Sequence, residues 1–278
     1  MLFLILAVLS SSMIAILMRI SSGRICANLS MLAVNYLTCG LLGAAYTGFQ
    51  PALPGQAGFA VTLWLGIISG VLYLGGFVLF QYNTRKNGIV LSSIFMKLGL
   101  LVPVVLSMLL FREAPTPNQI FGFCIAVFSI ILINFKKDSS QKEFGFGLIL
   151  MLLLCGGSDA MSKVFERLGP AELSDSYLFF TFAVAFVLCA GLVLYRKEKP
   201  GVPEILFGAA IGIPNFFSAK FLLGALTRLP AVVVYPSFSV ATLLIVTLTG
   251  VVVFRERLRK LQWLALAAII AALIFLNI

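Results

Sequence analysis

Charge is scarce in this 278-residue chain: Asp, Glu, Lys and Arg make up 11% of it, and histidine is absent. A soluble domain keeps roughly a quarter of its residues charged, so this chain could not cover its surface in water. Long polar stretches are also missing, which leaves no room for a soluble domain. No GxxxxGK[ST] loop occurs, excluding an ATP motor within the chain. No GxSxG, no paired carboxylates and no metal-ligand spacing occur either, so the sequence reads as neither an enzyme nor a metal or cofactor carrier. The five cysteines (Cys26, Cys39, Cys124, Cys155, Cys189) form no CxxC pair and read as small packing residues.

What the chain has is apolar length. Hydrophobic residues make up 61%, and the mean hydropathy is +1.09. A helix needs about 20 apolar residues to cross a bilayer. Strands of a membrane barrel would alternate with period two, whereas runs such as Leu261 to Leu276 are continuous. The fold class is therefore an all-α integral membrane protein. Ten transmembrane helices are expected over 2–20, 30–47, 58–81, 89–110, 117–135, 145–165, 175–195, 202–225, 231–254 and 260–278, with turns at Pro51, Gly88, Pro115, Pro170, Pro200 and Pro230. The apolar N-terminus lacks a charged n-region and a cleavage site, so it reads as the first span.

The chain also repeats itself. Phe111-Arg112-Glu113, Gln119 and Asn134 recur as Phe254-Arg255-Glu256, Gln262 and Asn277, offset by 143. Thr84-Arg85 recurs as Thr227-Arg228 at the same offset. Gly66 and Gly70 match Gly208 and Gly212 at an offset of 142; such GxxxG pairs let helices approach closely. The repeat divides the chain into 1–138 and 139–278, two five-helix halves of one membrane domain. Five spans is an odd number, so the second half enters the membrane from the opposite side. Two inverted halves suit a secondary transporter with a midplane site.

These residues, Phe111-Arg112-Glu113 … Gln119 … Gly122 and Phe254-Arg255-Glu256 … Gln262, resemble the EamA-like branch of the drug/metabolite transporter superfamily. The resemblance covers nearly the whole chain. It implies a five-plus-five duplication around a central cavity lined mainly by the third, fourth, eighth and ninth spans. Members carry amino acids, sugars, nucleotide sugars, phosphorylated sugars or drugs, so the substrate stays open. One departure is the uncharged connection from Gly48 to Gly55, which is often basic in relatives.

The net charge of +10 is scattered between spans, which argues against nucleic acid as a partner. Connections after odd-numbered spans hold fourteen of the 20 Lys and Arg residues. The positive-inside rule places that side in the cytoplasm and both termini outside, in a bacterial cytoplasmic membrane. Family habit favours both termini inside.

Ionisable groups at bilayer depth are costly and usually mark function. Lys97 lies about eight residues into the fourth span and is the leading substrate-binding candidate; the alternative is a structural lysine. Lys220 is a second candidate, closer to a helix end. Tyr73 and Asn215 occupy matched places at the 142 offset, just after each GxxxG, so both are candidates. Asp159 and Lys163 stand four apart, where they could neutralise each other. Asp159 is also the one acid well inside a span, so it is the proton-coupling candidate. Tyr235 is a weaker candidate at the start of the ninth span. Lys97, Tyr73, Asn215 and Asp159 are expected around one cavity. Three lysines against one acid favour an anionic metabolite. The alternatives are an exporter of amino acids or amphipathic compounds, a lipid-headgroup flippase, or a structural membrane partner. Besides substrate and lipid, a coupling proton or ion is an open partner, and both monomer and dimer remain open.

Overall fold

The computed structural model describes residues 1–21, 23–87, 89–134, 146–253, 255 and 260–277. Among these residues every regular element is helical: α1 Leu2–Ser21, α2 Asn28–Tyr46, α3 Phe59–Asn87, α4 Ile89–Leu98, α5 Leu101–Leu110, α6 Pro117–Asn134, α7 Phe146–Leu168, α8 Ser174–Arg196, α9 Val202–Leu226, α10 Ala231–Val252 and α11 Lys260–Asn277. A 3-10 turn, Ala171–Leu173, precedes α8. Seven helices are long and apolar enough to cross a membrane; the other apolar stretches, Phe95–Leu110, Pro117–Leu132 and Trp263–Asn277, are shorter among the described residues. Large apolar side chains are exposed on α1 at Leu2, Ile5, Leu9 and Met13, while Leu4, Ala7, Val8 and Ser12 are buried. In water such a face would be a liability. In lipid it is the outer surface.

The expected fourth span, 89–110, is not one helix. α4 stops at Leu98 and α5 starts at Leu101. Pro103 has no N–H for the Gly99 carbonyl, and its ring would clash there. The Val102 N–H donates to that carbonyl instead, at 2.9 Å, and the Gly99 N–H donates to Met96 O at 3.2 Å. Two tight turns thus interrupt the span at Gly99–Leu100.

The chain forms two compact units, one of Met1–Leu74 with Met161–Thr227 and one of Gly75–Ala160 with Arg228–Ile278. Each takes segments from both sequence halves. In the first unit the GxxxG pairs do matching work. A Cβ on Gly70 would lie 2.6 Å from Thr181 O and 2.9 Å from Val184 Cβ; one on Gly212 would lie 2.8 Å from Asn35 O and 2.6 Å from Thr38 Cβ. Thus α3 packs on α8 through its glycines, and α9 packs on α2 through the matching ones. The contacted residues are themselves matched: Asn35 to Thr181 and Thr38 to Val184 have one spacing, which is also the spacing from the start of α2, Asn28, to that of α8, Ser174.

In the second unit the Phe-Arg-Glu motif is a helix-joining device. Arg112 has a left-handed backbone with φ 53°, and Arg255 at the matched place has the same φ. The Glu113 carboxylate accepts the Ala231 N–H at 2.9 Å, capping the start of α10. Gln119 and Thr116 bond reciprocally, Thr116 N–H to Gln119 Oε1 at 3.1 Å and Gln119 N–H to Thr116 Oγ1 at 3.3 Å, a capping box opening α6. Phe254, Glu256 and the Lys136–Lys142 connection lie outside the described residues.

Candidate functional site

In the second unit, the break in the fourth span positions Lys97. The lysine is the penultimate residue of α4 and half-buried. A helix C-terminus carries partial negative charge, which favours an ammonium there. α7 reaches the same place because glycine meets glycine: a Cβ on Gly99 would lie 3.1 Å from Gly156 N, and one on Gly156 would overlap the Gly99 carbonyl oxygen. Asp159 follows Gly156 by about one turn. It is the electrostatic partner of Lys97, with Cys155 close to both. Among the described residues, neither the ammonium nor the carboxylate makes a hydrogen bond. Tyr235 completes the cluster by donating its hydroxyl to the Asp159 backbone carbonyl at 2.7 Å. Three of the expected residues therefore meet: Lys97, Asp159 and Tyr235.

Lys163 has an acidic partner on the side away from Asp159. Lys163 Nζ bonds Glu166 Oε2 at 2.7 Å and is 1% exposed. Glu166 stands three residues on, a spacing as favourable as four.

In the first unit, Tyr73 and Asn215 meet. The Tyr73 hydroxyl donates to Asn215 Oδ1 at 3.4 Å, and Asn215 Nδ2 donates to Asn35 Oδ1 at 3.2 Å. Cys39 Sγ donates to Asn35 Oδ1 at 3.7 Å and to the Gly212 carbonyl at 3.2 Å. Asn35 and Asn215 are buried, and such a network joins helices because each unpaired amide would be costly. Aromatic rings surround it, with Tyr36 and Tyr73 edge to face at 5.9 Å and Tyr73 and Phe182 at 5.8 Å. Lys220, also on α9, takes a different partner. Its Nζ lies 2.6 Å from Asp175 Oδ1 and 3.6 Å from the centre of the Tyr46 ring. Asn215 and Lys220 therefore do not converge, as their five-residue spacing along one helix implies.

Four partners escaped the sequence reading: Glu166, Asn35, Asp175 and Tyr46. Asn35 carries a signal in hindsight, since it is an amide in the middle of an apolar span. Asp175 and Tyr46 carry none, because each sits near a span end where polar residues are ordinary.

A hollow of about 440 Å³ lies beside the break, lined by apolar residues including Leu101, Val102, Leu106 and Leu153. Its lining also includes the exposed Val105, Leu109 and Leu110 and none of the candidate residues.

Residues 1–135 and 145–278 each match the sequence profile of the EamA-like transporter family. The chain is 24% identical over 284 residues to an uncharacterized protein of Haemophilus influenzae, covering 97% of this chain and 95% of that one. A crystal structure at 18% identity superposes with a TM-score of 0.72, covering 99% of this chain and 94% of the other. That likeness concerns the fold alone.

Proposed function

The chain belongs to the EamA-like transporter family, and we propose that it is a secondary transporter moving a small polar, anionic metabolite by alternating access. That it is a membrane transporter of small molecules follows from the family; the ionic character of the substrate is our reading. One observation carries it: a lysine in the fourth span stands at a helix break without a side-chain hydrogen bond among the described residues, with Asp159 as its acidic electrostatic partner. A structural lysine would be ringed by carbonyls, because a membrane-buried charge is costly. A carboxylate or phosphate on the substrate would bind Lys97 and take the place of Asp159. Asp159, released, is then the group suited to carry a coupling proton. Tyr235 holds the Asp159 backbone in place meanwhile.

Tyr73 and Asn215 contact substrate in this reading as a joined pair, through the side of their network that faces the substrate. Lys220 holds α8 to α9 through Asp175. The halves 1–138 and 139–278 are related by a two-fold in the membrane plane, a relation supported by the matched GxxxG contacts. The excess of Lys and Arg after odd-numbered spans supports both termini outside, in the bacterial cytoplasmic membrane.

The apolar hollow at Leu101 and Val102, just after the helix break, favours a second reading, export of amino acids or amphipathic compounds. A lipid-headgroup flippase would use the same hollow. Thermal unfolding of the purified protein against a panel of small carboxylates, phosphates, amino acids and lipids separates these. Stabilisation by small anions supports the proposal. A response to lipids alone contradicts it.

A further inference from the structure

On the first unit an apolar groove of about 210 Å³ runs between α2 and α8. Val34 and Leu37 form one wall, Phe186 and Ala190 the other, and Ser30 and Pro200 close one end. The lining on α8 extends from Phe186 to Leu194, about 12 Å of helix. That is a slot for a length of alkyl chain.

Cations lie in and next to the connections at its closed end. Arg196 ends α8, Lys197 and Lys199 lie in the connection that contains Pro200, and all three are exposed. Arg24, also exposed, lies in the connection between α1 and α2. Two glutamates pin these connections together. Glu198 Oε2 accepts the Ser30 N–H at 3.2 Å and its hydroxyl at 3.4 Å. Glu204 accepts the N–H groups of Cys26 at 3.0 Å, Ala27 at 3.3 Å and Gly201 at 3.0 Å. Both carboxylates are thus engaged with the start of α2 and α9. Among the described residues, none of the four cations has an ion-pair partner.

The matched place on the same unit lacks both features. Where the groove has Ala33 and Val34, α8 has Phe179 and Phe180. Phe179 abuts Gly43, whose added Cβ would lie 3.0 Å from Phe179 Cα, and Phe180 packs against Phe59 at 6.3 Å. The neighbouring connection, Gly48 to Gly55, carries no charge. An open groove with a cationic mouth is therefore not a by-product of how these helices pair.

We propose that this groove binds one molecule of an anionic glycerophospholipid, with an acyl chain between α2 and α8 and its phosphate among Arg24, Arg196, Lys197 and Lys199. Basic residues at the end of a slot between membrane helices suit an anionic headgroup, and the alkyl chain gains contact along the groove. The lipid would tie the α1–α2 connection to the α8–α9 connection.

The test uses delipidated full-length protein in neutral detergent, with native mass spectrometry and thermal unfolding as readouts. Phosphatidylglycerol should be retained at one per chain and raise the melting temperature; phosphatidylcholine with the same chains should do neither. Lys197→Gln with Lys199→Gln should weaken phosphatidylglycerol binding roughly tenfold or more. Ala190→Leu, which narrows the groove, should weaken it while leaving the lipid-free melting temperature unchanged. Equal retention of both lipids, or a preference untouched by these variants, would overturn the proposal in favour of general lipid coating. Equal stabilisation by water-soluble glycerol phosphate would reduce the site to an anion contact and overturn the groove.

Discussion

Tyr73 donates its hydroxyl to Asn215 at 3.4 Å, and the two occupy the same place in the two sequence repeats. Tyr36 and Phe182, matched by the spacing of α2 and α8, also meet, with ring centres 6.5 Å apart. A residue and its counterpart can touch only near an axis that exchanges the two copies. These pairs support the proposed two-fold, whose axis would then pass among Tyr36, Tyr73, Phe182 and Asn215. On that axis identical residues would face each other, and the chain has instead a phenol against an amide, which suits a donor and an acceptor.

The glycine crossings should tolerate no side chain. Gly212→Leu would drive its Cβ into the Asn35 carbonyl and Thr38, so it should destabilise by about 1–3 kcal/mol or more. Gly191 has nothing within 4 Å of an added Cβ, so Gly191→Ala should be neutral or stabilise by up to about 1 kcal/mol through helix propensity. Thermal unfolding in detergent reads both. Equal effects would contradict the packing described.

The buried amide network should behave as a unit. Tyr73→Phe removes one long hydrogen bond and should cost about 0.5–1.5 kcal/mol; Asn215→Ala leaves Asn35 with a lost donor and should cost about 1–3 kcal/mol. In a double-mutant cycle the two losses should be less than additive. Full additivity would mean that the pair does not interact.

Much of this fold is legible in the sequence, because apolar length and helix-breaking residues act locally. The spans, their turns and the repeat all come from such signals. The break at Gly99–Leu100 was missed although Pro103 announces it. Hydropathy does not register a missing N–H, and the span reads as continuous. For the site, Lys97, Asp159 and Tyr235 were legible as costly or polar groups. Their meeting was not, since it depends on Gly99 and Gly156 crossing.

Lys220 should prove structural. It and Asp175 are about a quarter to a third exposed, so Lys220→Met should cost at most about 1 kcal/mol and leave anion-dependent stabilisation intact. Loss of that stabilisation with an unchanged melting temperature would instead make Lys220 a substrate contact.

Membrane orientation can be read by cysteine labelling from outside, on a background without native cysteines. The Gly48–Gly55 connection should label and the Lys136–Lys142 connection should not. The reverse pattern would invert the orientation and leave the repeat untouched.

The central claim is that Lys97 binds an anionic substrate group, and Lys97→Met tests it most directly. The substitution keeps much of the length and apolar stem and deletes the charge. Thermal unfolding of wild type and variant should be compared across the panel of small carboxylates and phosphates, with Asp159→Asn beside them. The account predicts that at least one such anion stabilises the wild type and fails to stabilise Lys97→Met, with folded yield nearly equal. It predicts that Asp159→Asn keeps binding and loses pH-dependent uptake. Stabilisation by the anion that survives Lys97→Met, or a variant that loses yield and melting temperature without any change in ligand response, would contradict it.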